Sequence, residues 1–146
     1  MRHPERSCLH PSRKPLTETD YRHLAEFRFL LRQFLAFSED AARKAGLSPQ
    51  HHQALLAIRG SGGQLTVGEL AMRLAIKPNS AVGLADRLAE AELVMRRTDG
   101  NDRRRVELTL TASANRKLAD LSQSHRAELK RLAPMLAPLL KAWGKH

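Results

Sequence analysis

The chain has 146 residues, enough for one domain with a substantial core and too few for two ordinary ones. Its 25 Lys and Arg against 15 Asp and Glu give a formal charge of +10, which favours polyanionic partners. No apolar run approaches the roughly 20 residues that span a bilayer, and the N-terminus lacks the apolar stretch of a signal peptide, so a cytoplasmic protein with no membrane association is expected.

Residues 1–16 read as a disordered basic arm containing Pro, Arg and His. The lone Cys8 lies in it and excludes an intrachain disulfide; without a packed environment its thiol reads as incidental rather than as a redox sensor. From Thr17 or Thr19, both suitable N-caps, a helical pattern runs to Ala45 and stops at Gly46. Leu24, Phe27, Leu31, Phe34 and Ala41 recur at spacings of three, four and seven, while Leu30 and Phe37 lie off that stripe. All four Phe fall in this helix, which is therefore apolar around more of its circumference than a one-sided surface helix. Two buried faces imply two partners: its own core, and a second subunit or a ligand cavity. A helix central to a monomer would carry the same pattern.

Ser48-Pro49 announces a second helix, with Ala54, Leu55 and Ile58 inward, ending at Gly60-Ser61-Gly62-Gly63. Gln64-Leu65 forms a short strand. Thr66 with Glu69 makes a capping box for a third helix of about two turns, carrying Val67, Leu70, Ala71 and Leu74. A fourth helix starts at Pro78 and buries Ala81, Leu84, Ala85 and Leu88, leaving Asn79, Ser80, Gly83, Asp86, Arg87 and Glu90 outward. Two short helices joined by a tight turn at Ala75-Ile76-Lys77 match the helix-turn-helix pattern.

Next comes a basic hairpin. Val94 to Arg97 and Arg105 to Leu110 have strand composition, and Thr98-Asp99-Gly100-Asn101-Asp102 between them is rich in turn formers. It sets Arg96, Arg97, Arg103, Arg104 and Arg105 against Asp99, Asp102 and Glu107. Such a ribbon behind a helix suits double-stranded DNA, with the helix in the major groove and arginines on phosphates or in the minor groove. Thr111 then caps a long helix with Leu118, Leu121, His125 and Leu132 in near-heptad register. Pro134 is expected to interrupt it, leaving Met135, Leu136, Leu139, Leu140 and Trp143 as a short apolar terminal helix. That tail points to a dimer interface or to packing back onto the first helix, and the two are compatible.

Catalysis finds no support: the chain has no phosphate loop, dinucleotide fingerprint or nucleophile motif. No cofactor and no metal are expected. The adjacent His51 and His52 point about 100° apart on a helix, and no Cys cluster or His-Glu-x-x-His motif accompanies them. His125, on the apolar seam, reads as a hydrogen-bonded interface residue or a pH-sensitive spot rather than a metal ligand.

The order of elements, with Leu93-Val94-Met95-Arg96, then Asn101-Asp102-Arg103-Arg104 and Val106-Glu107-Leu108-Thr109-Leu110-Thr111, resembles the MarR family of bacterial winged-helix transcription regulators. The resemblance covers nearly the whole chain after Thr17, and Asp86-Arg87-Leu88 matches the end of that family's recognition helix. It implies a mainly α fold with a small β-hairpin wing, a winged helix-turn-helix with N- and C-terminal dimerisation helices. The boundaries would be a single domain over 17–146, with dimerisation helices at 17–46 and 112–146 and a DNA-binding lobe at 47–111. The implied function is that of a ligand-responsive repressor acting as a homodimer on a pseudopalindromic operator. Its DNA-binding residues would be Pro78, Asn79, Ser80, Gly83 and Arg87 on the recognition helix and Arg97, Asp102, Arg103, Arg104 and Arg105 on the wing. By the family pattern Arg104, assisted by Arg103, reaches the minor groove while Asp102 orients an arginine. A small aromatic or anionic effector would bind between the dimerisation helices and the lobe, near Phe27, Arg32, Phe34, His51 and His52.

The sequence also departs from that family. Val82 and Gly83 stand where it often has threonine and arginine, and the glycine costs helix stability by about 1 kcal/mol. Base readout then rests on Asn79, Ser80 and Arg87, with more weight on the wing. Ala114 replaces the usual glycine after Leu-Thr. The rival reading is a basic winged-helix module that binds RNA or an acidic protein without operator specificity, separable by salt dependence and sequence preference.

Overall fold

A computed structural model of the chain describes residues 14–98, 100–102 and 105–144. The basic arm up to residue 13, Cys8 included, lies outside the described residues. The elements follow as α1 (Glu18–Lys44), α2 (Pro49–Gly60), β1 (Gln64–Thr66), α3 (Val67–Leu74), α4 (Pro78–Glu90), β2 (Val94–Thr98), β3 (Val106–Leu110) and α5 (Ala112–Trp143). The molecule is therefore mainly α with a three-stranded antiparallel sheet in the order β1-β3-β2.

Local chemistry sets most of the boundaries. Thr17 Oγ1 accepts from the Asp20 N–H, and the Asp20 carboxylate accepts from the Thr17 N–H, so α1 starts on a reciprocal cap. At its other end Gly46 takes φ +78°, and Leu47 N–H donates to Ala42 O while Gly46 N–H donates to Arg43 O. This is a Schellman closure, in which glycine supplies the left-handed residue at no steric cost and Leu47 folds into the core over Ala42. Ser48 caps α2 by accepting from His51 N–H. Thr111 does more at the head of α5: its hydroxyl accepts from Ala114 N–H at 3.1 Å and donates to Glu92 O at 2.8 Å. Ala114, where the resembled family has glycine, is fully buried at this junction.

One contiguous core joins the ends of α1 and α5 to the lobe, through Leu47, Leu55, Ile58, Leu65, Leu70, Leu84, Leu88, Leu108 and Leu118 among others. Beyond it α1 and α5 pack along one another, with Leu30 and Leu132 buried outside that cluster. The expected break at Pro134 does not occur, since α5 continues unbroken through Pro134 and Pro138. Each proline removes a helical N–H and crowds the preceding turn. Both are exposed, however, as are Lys130 and Pro134, whose carbonyls lose their partners, so water can satisfy them. Burial of Leu132 and partial burial of Leu136 and Leu139 continue the inward stripe across the prolines.

Candidate nucleic-acid interface

The interface is built on the turn between α3 and α4. Thr66 and Glu69 cap α3 reciprocally, at 3.1 and 3.2 Å. Ala75 then takes a left-handed φ of +53° and Ile76 N–H donates back to Ala71 O, which reverses the chain with alanine where glycine is the usual choice. Helix α4 opens at Lys77-Pro78 with no side-chain cap, the proline taking the first position, where an N–H would be unpaired anyway. Its apolar side, Ala81, Leu84, Ala85 and Leu88, is buried. Pro78, Asn79, Ser80, Val82, Asp86, Arg87 and Glu90 are exposed and Gly83 is half-buried. A Cβ built on Gly83 would come within 3.3 Å of Arg87 Nη1, so the Arg87 side chain lies back over the glycine one turn before it.

Strand register sorts the wing arginines. Val94 pairs with Leu110, Arg96 with Leu108 and Thr98 with Val106, which puts Arg96 on the face of the sheet that carries the core. From there its guanidinium donates to the Asp86 carboxylate on α4. The pair links the wing to α4 and neutralises the acid on that side of the helix. Arg97 pairs with Glu107 on the opposite face. Arg105 Nε stands 4.0 Å from Glu107 Oε1, and its backbone N–H donates to Asp102 O at 3.1 Å, closing the described part of the wing. Asp102 is exposed. Arg103 and Arg104, the arginines assigned to the minor groove by resemblance, lie outside the described residues. Sequence reasoning passed over Arg96 as a site residue. The signal that marks it is the two-residue period of β2, which sets it on the face of Val94 and apart from Arg97.

The residues expected to hold an effector do not gather in one place. Phe27 lines a cavity of about 230 Å³ with His23, Leu24, Leu139, Leu140 and Trp143, between the start of α1 and the end of α5. Arg32 is exposed. Phe34 belongs to an aromatic cluster further along α1, where it and Phe37 meet the His125 ring edge-on at centroid distances of 5.8 and 5.5 Å. His52 completes that cluster at 4.9 Å from His125 and is only 5% exposed. The Leu121 carbonyl, 2.6 Å from His125 Nδ1, can only accept, so Nδ1 carries a proton. In the neutral ring Nε2 then accepts from the Ser38 hydroxyl at 2.7 Å. Burial first, and the charge of His125 second, hold the His52 pKa below the ordinary imidazole value. For His51, burial first and the charge of Arg87 second lower the pKa. Among the described residues no three His, Cys, Asp or Glu gather as a metal site, and no helix is long and apolar enough to cross a membrane.

Comparison with known proteins matches this architecture. The sequence model of the MarR family matches residues 45–105, from the end of α1 to the residue before β3. Two proteins of Bacillus subtilis strain 168 are similar over about two thirds of the chain. The uncharacterized HTH-type transcriptional regulator YcgE is 34% identical over 95 residues, 65% of this chain and 61% of that protein. The HTH-type transcriptional repressor MdtR is 29% identical over 97 residues, 66% of this chain and 62% of that protein. The chain thus spans about three fifths of the length of either relative. Among solved structures, AbsC, a MarR family transcriptional regulator from Streptomyces coelicolor, superposes with a TM-score of 0.71 at 21% identity, over 90% of this chain and 94% of that one. With its helix-turn-helix, wing and flanking helices in that order, the chain has the winged-helix fold of these structures, and its residues 45–105 match the MarR family.

Proposed function

We propose that the protein is a DNA-binding transcriptional repressor that acts as a homodimer on a two-fold symmetric operator. The observation that carries this reading is the exposed, largely polar face of α4, with Asn79, Ser80 and Arg87, set beside a basic wing through the Arg96–Asp86 pair. A helix of this kind fits the major groove, while a wing bearing Arg97 and Arg105, with Arg103 and Arg104 at its tip in sequence, suits phosphates and the neighbouring minor groove. The B. subtilis repressor that is 29% identical over 97 residues supports the direction of regulation. Dimerisation is favoured by α1 and α5, which leave Leu24, Leu31, Leu35, Leu140 and Trp143 exposed around the cavity end and along the helix pair.

Selection of duplexes from a random pool, followed by sequencing, tests this. The expected result is a consensus with two-fold symmetry, its half-sites about 10 base pairs apart, bound at least roughly 10³-fold more tightly than unrelated duplex at the same salt. A pool that stays random while binding falls steeply with salt would overturn it in favour of charge-driven association.

A further inference from the structure

We propose that Val82 reads the 5-methyl group of a thymine in the major groove, which makes one thymine in each half-site a specificity determinant; the assignment rests on the DNA-binding reading above. Every other large apolar side chain of α4 is buried, whereas Val82 is 52% exposed in the middle of the helix. An isolated exposed valine would carry no meaning by itself. Its surroundings supply one. In helical projection Val82 lies at the wing-side edge of the outward face, one turn before Asp86 and three residues after Asn79. It borders a depression of about 280 Å³ between α3, α4 and the sheet, lined also by Val67, Gly68, Pro78, Ala85 and Val106. The two charged residues of that depression, Asp86 and Arg96, are bonded to each other.

The result is a small, neutral, apolar spot inside a strongly basic frame. The frame selects a polyanion, and the spot has to meet something apolar on it. On the base edges of the major groove, the thymine 5-methyl is the apolar group displayed. Valine is suited to that contact because branching at Cβ leaves it essentially one rotamer in a helix, so its two methyls are already placed before binding. Asn79, on the same face, has the side-chain type that pairs with adenine N6 and N7. Together they assign α4 to an A·T-containing step.

Deoxyuridine substitution tests this, since it removes only the methyl. In the duplex selected from the pool, each thymine is replaced singly by deoxyuridine and affinity is measured with the full chain at fixed salt. For the parent protein, one position per half-site should lose roughly 4-fold, the cost of one methyl left unburied. Val82→Ala should lose a similar factor on the thymine duplex and become indifferent to deoxyuridine there, while Val82→Thr, which keeps one methyl, should retain part of the discrimination. A thermal midpoint that does not fall in either variant shows that the surface and not the fold was altered. The assignment is overturned if a symmetric operator is selected but no deoxyuridine is felt, or if Val82→Ala discriminates as the parent does. A pool without consensus overturns it together with the reading it rests on.

Discussion

The winged lobe and the two flanking helices handle apolar surface in opposite ways. In the lobe Leu55, Ile58, Leu70, Leu84, Leu88 and Leu108 are completely buried, and the large apolar side chains left exposed are the scattered Leu56, Met72, Val82 and Met95. On the flanks Tyr21, Leu24, Phe29, Leu31, Leu35, Leu129, Met135, Leu140 and Trp143 stay exposed. A closed core makes the lobe a rigid platform for presenting α4 and the wing at a fixed distance. The flanks carry the surface that a second chain has to cover in the proposed dimer. One part of the chain is folded for shape and the other for association.

Two substitutions should break that division cleanly. Leu84→Ala removes a fully buried side chain from the lobe and should cost about 2–5 kcal/mol, read from urea unfolding followed by circular dichroism. Leu140→Asp, at a side chain 59% exposed, should leave helix content intact yet halve the mass seen by sedimentation at micromolar concentration. Parental sedimentation by the Leu140 variant would remove the flanks from the association surface.

The cluster where α2 meets α1 and α5 lies on the seam between the two regions and should give a smaller, pH-dependent effect. Because burial and His125 lower the His52 pKa, the folded chain binds fewer protons than the unfolded chain near the ordinary imidazole value of about 6.5. Stability therefore rises with pH in that window. It is lost as pH falls through 6.5 toward the depressed folded value, and His51 acts in the same sense. Thermal midpoints between pH 8 and pH 5 should fall on the acid side, and His52→Gln should flatten the fall. A variant profile as steep as the parent's would place the proton uptake elsewhere.

Much of this was legible in the sequence where the physics is local. The caps at Thr17, Ser48, Thr66 and Thr111 depend only on an oxygen reaching an N–H three residues on, and each was readable from residue type and spacing. Partnerships between elements were not. Asp86 and Arg96 are ten residues apart, and only the packing of α4 on the sheet brings them together. Phe27 and Phe34 share a stripe on α1, but seven residues put them about 10.5 Å apart along the axis, so one faces the cavity at the helix start and the other faces His125. Pro134 misled for a related reason: its effect on the helix depends on whether the carbonyl it strands is buried or wet, which residue type alone does not reveal.

The smallest effect tests whether the lobe gives up stability for its surface. Gly83 sits in the middle of α4, where alanine would raise helix stability by up to about 1 kcal/mol. The added Cβ would press on Arg87 Nη1 at 3.3 Å, the far end of a flexible side chain that yields easily. Gly83→Ala should therefore raise the thermal midpoint by roughly 3 °C while moving the guanidinium off its seat over the helix. If Arg87 contacts the duplex from that seat, operator affinity falls as stability rises, and the two changes have opposite signs in one variant. Affinity that climbs with the midpoint would instead put Gly83 and the resting position of Arg87 outside the reading surface, leaving the glycine as a plain loss of helix stability.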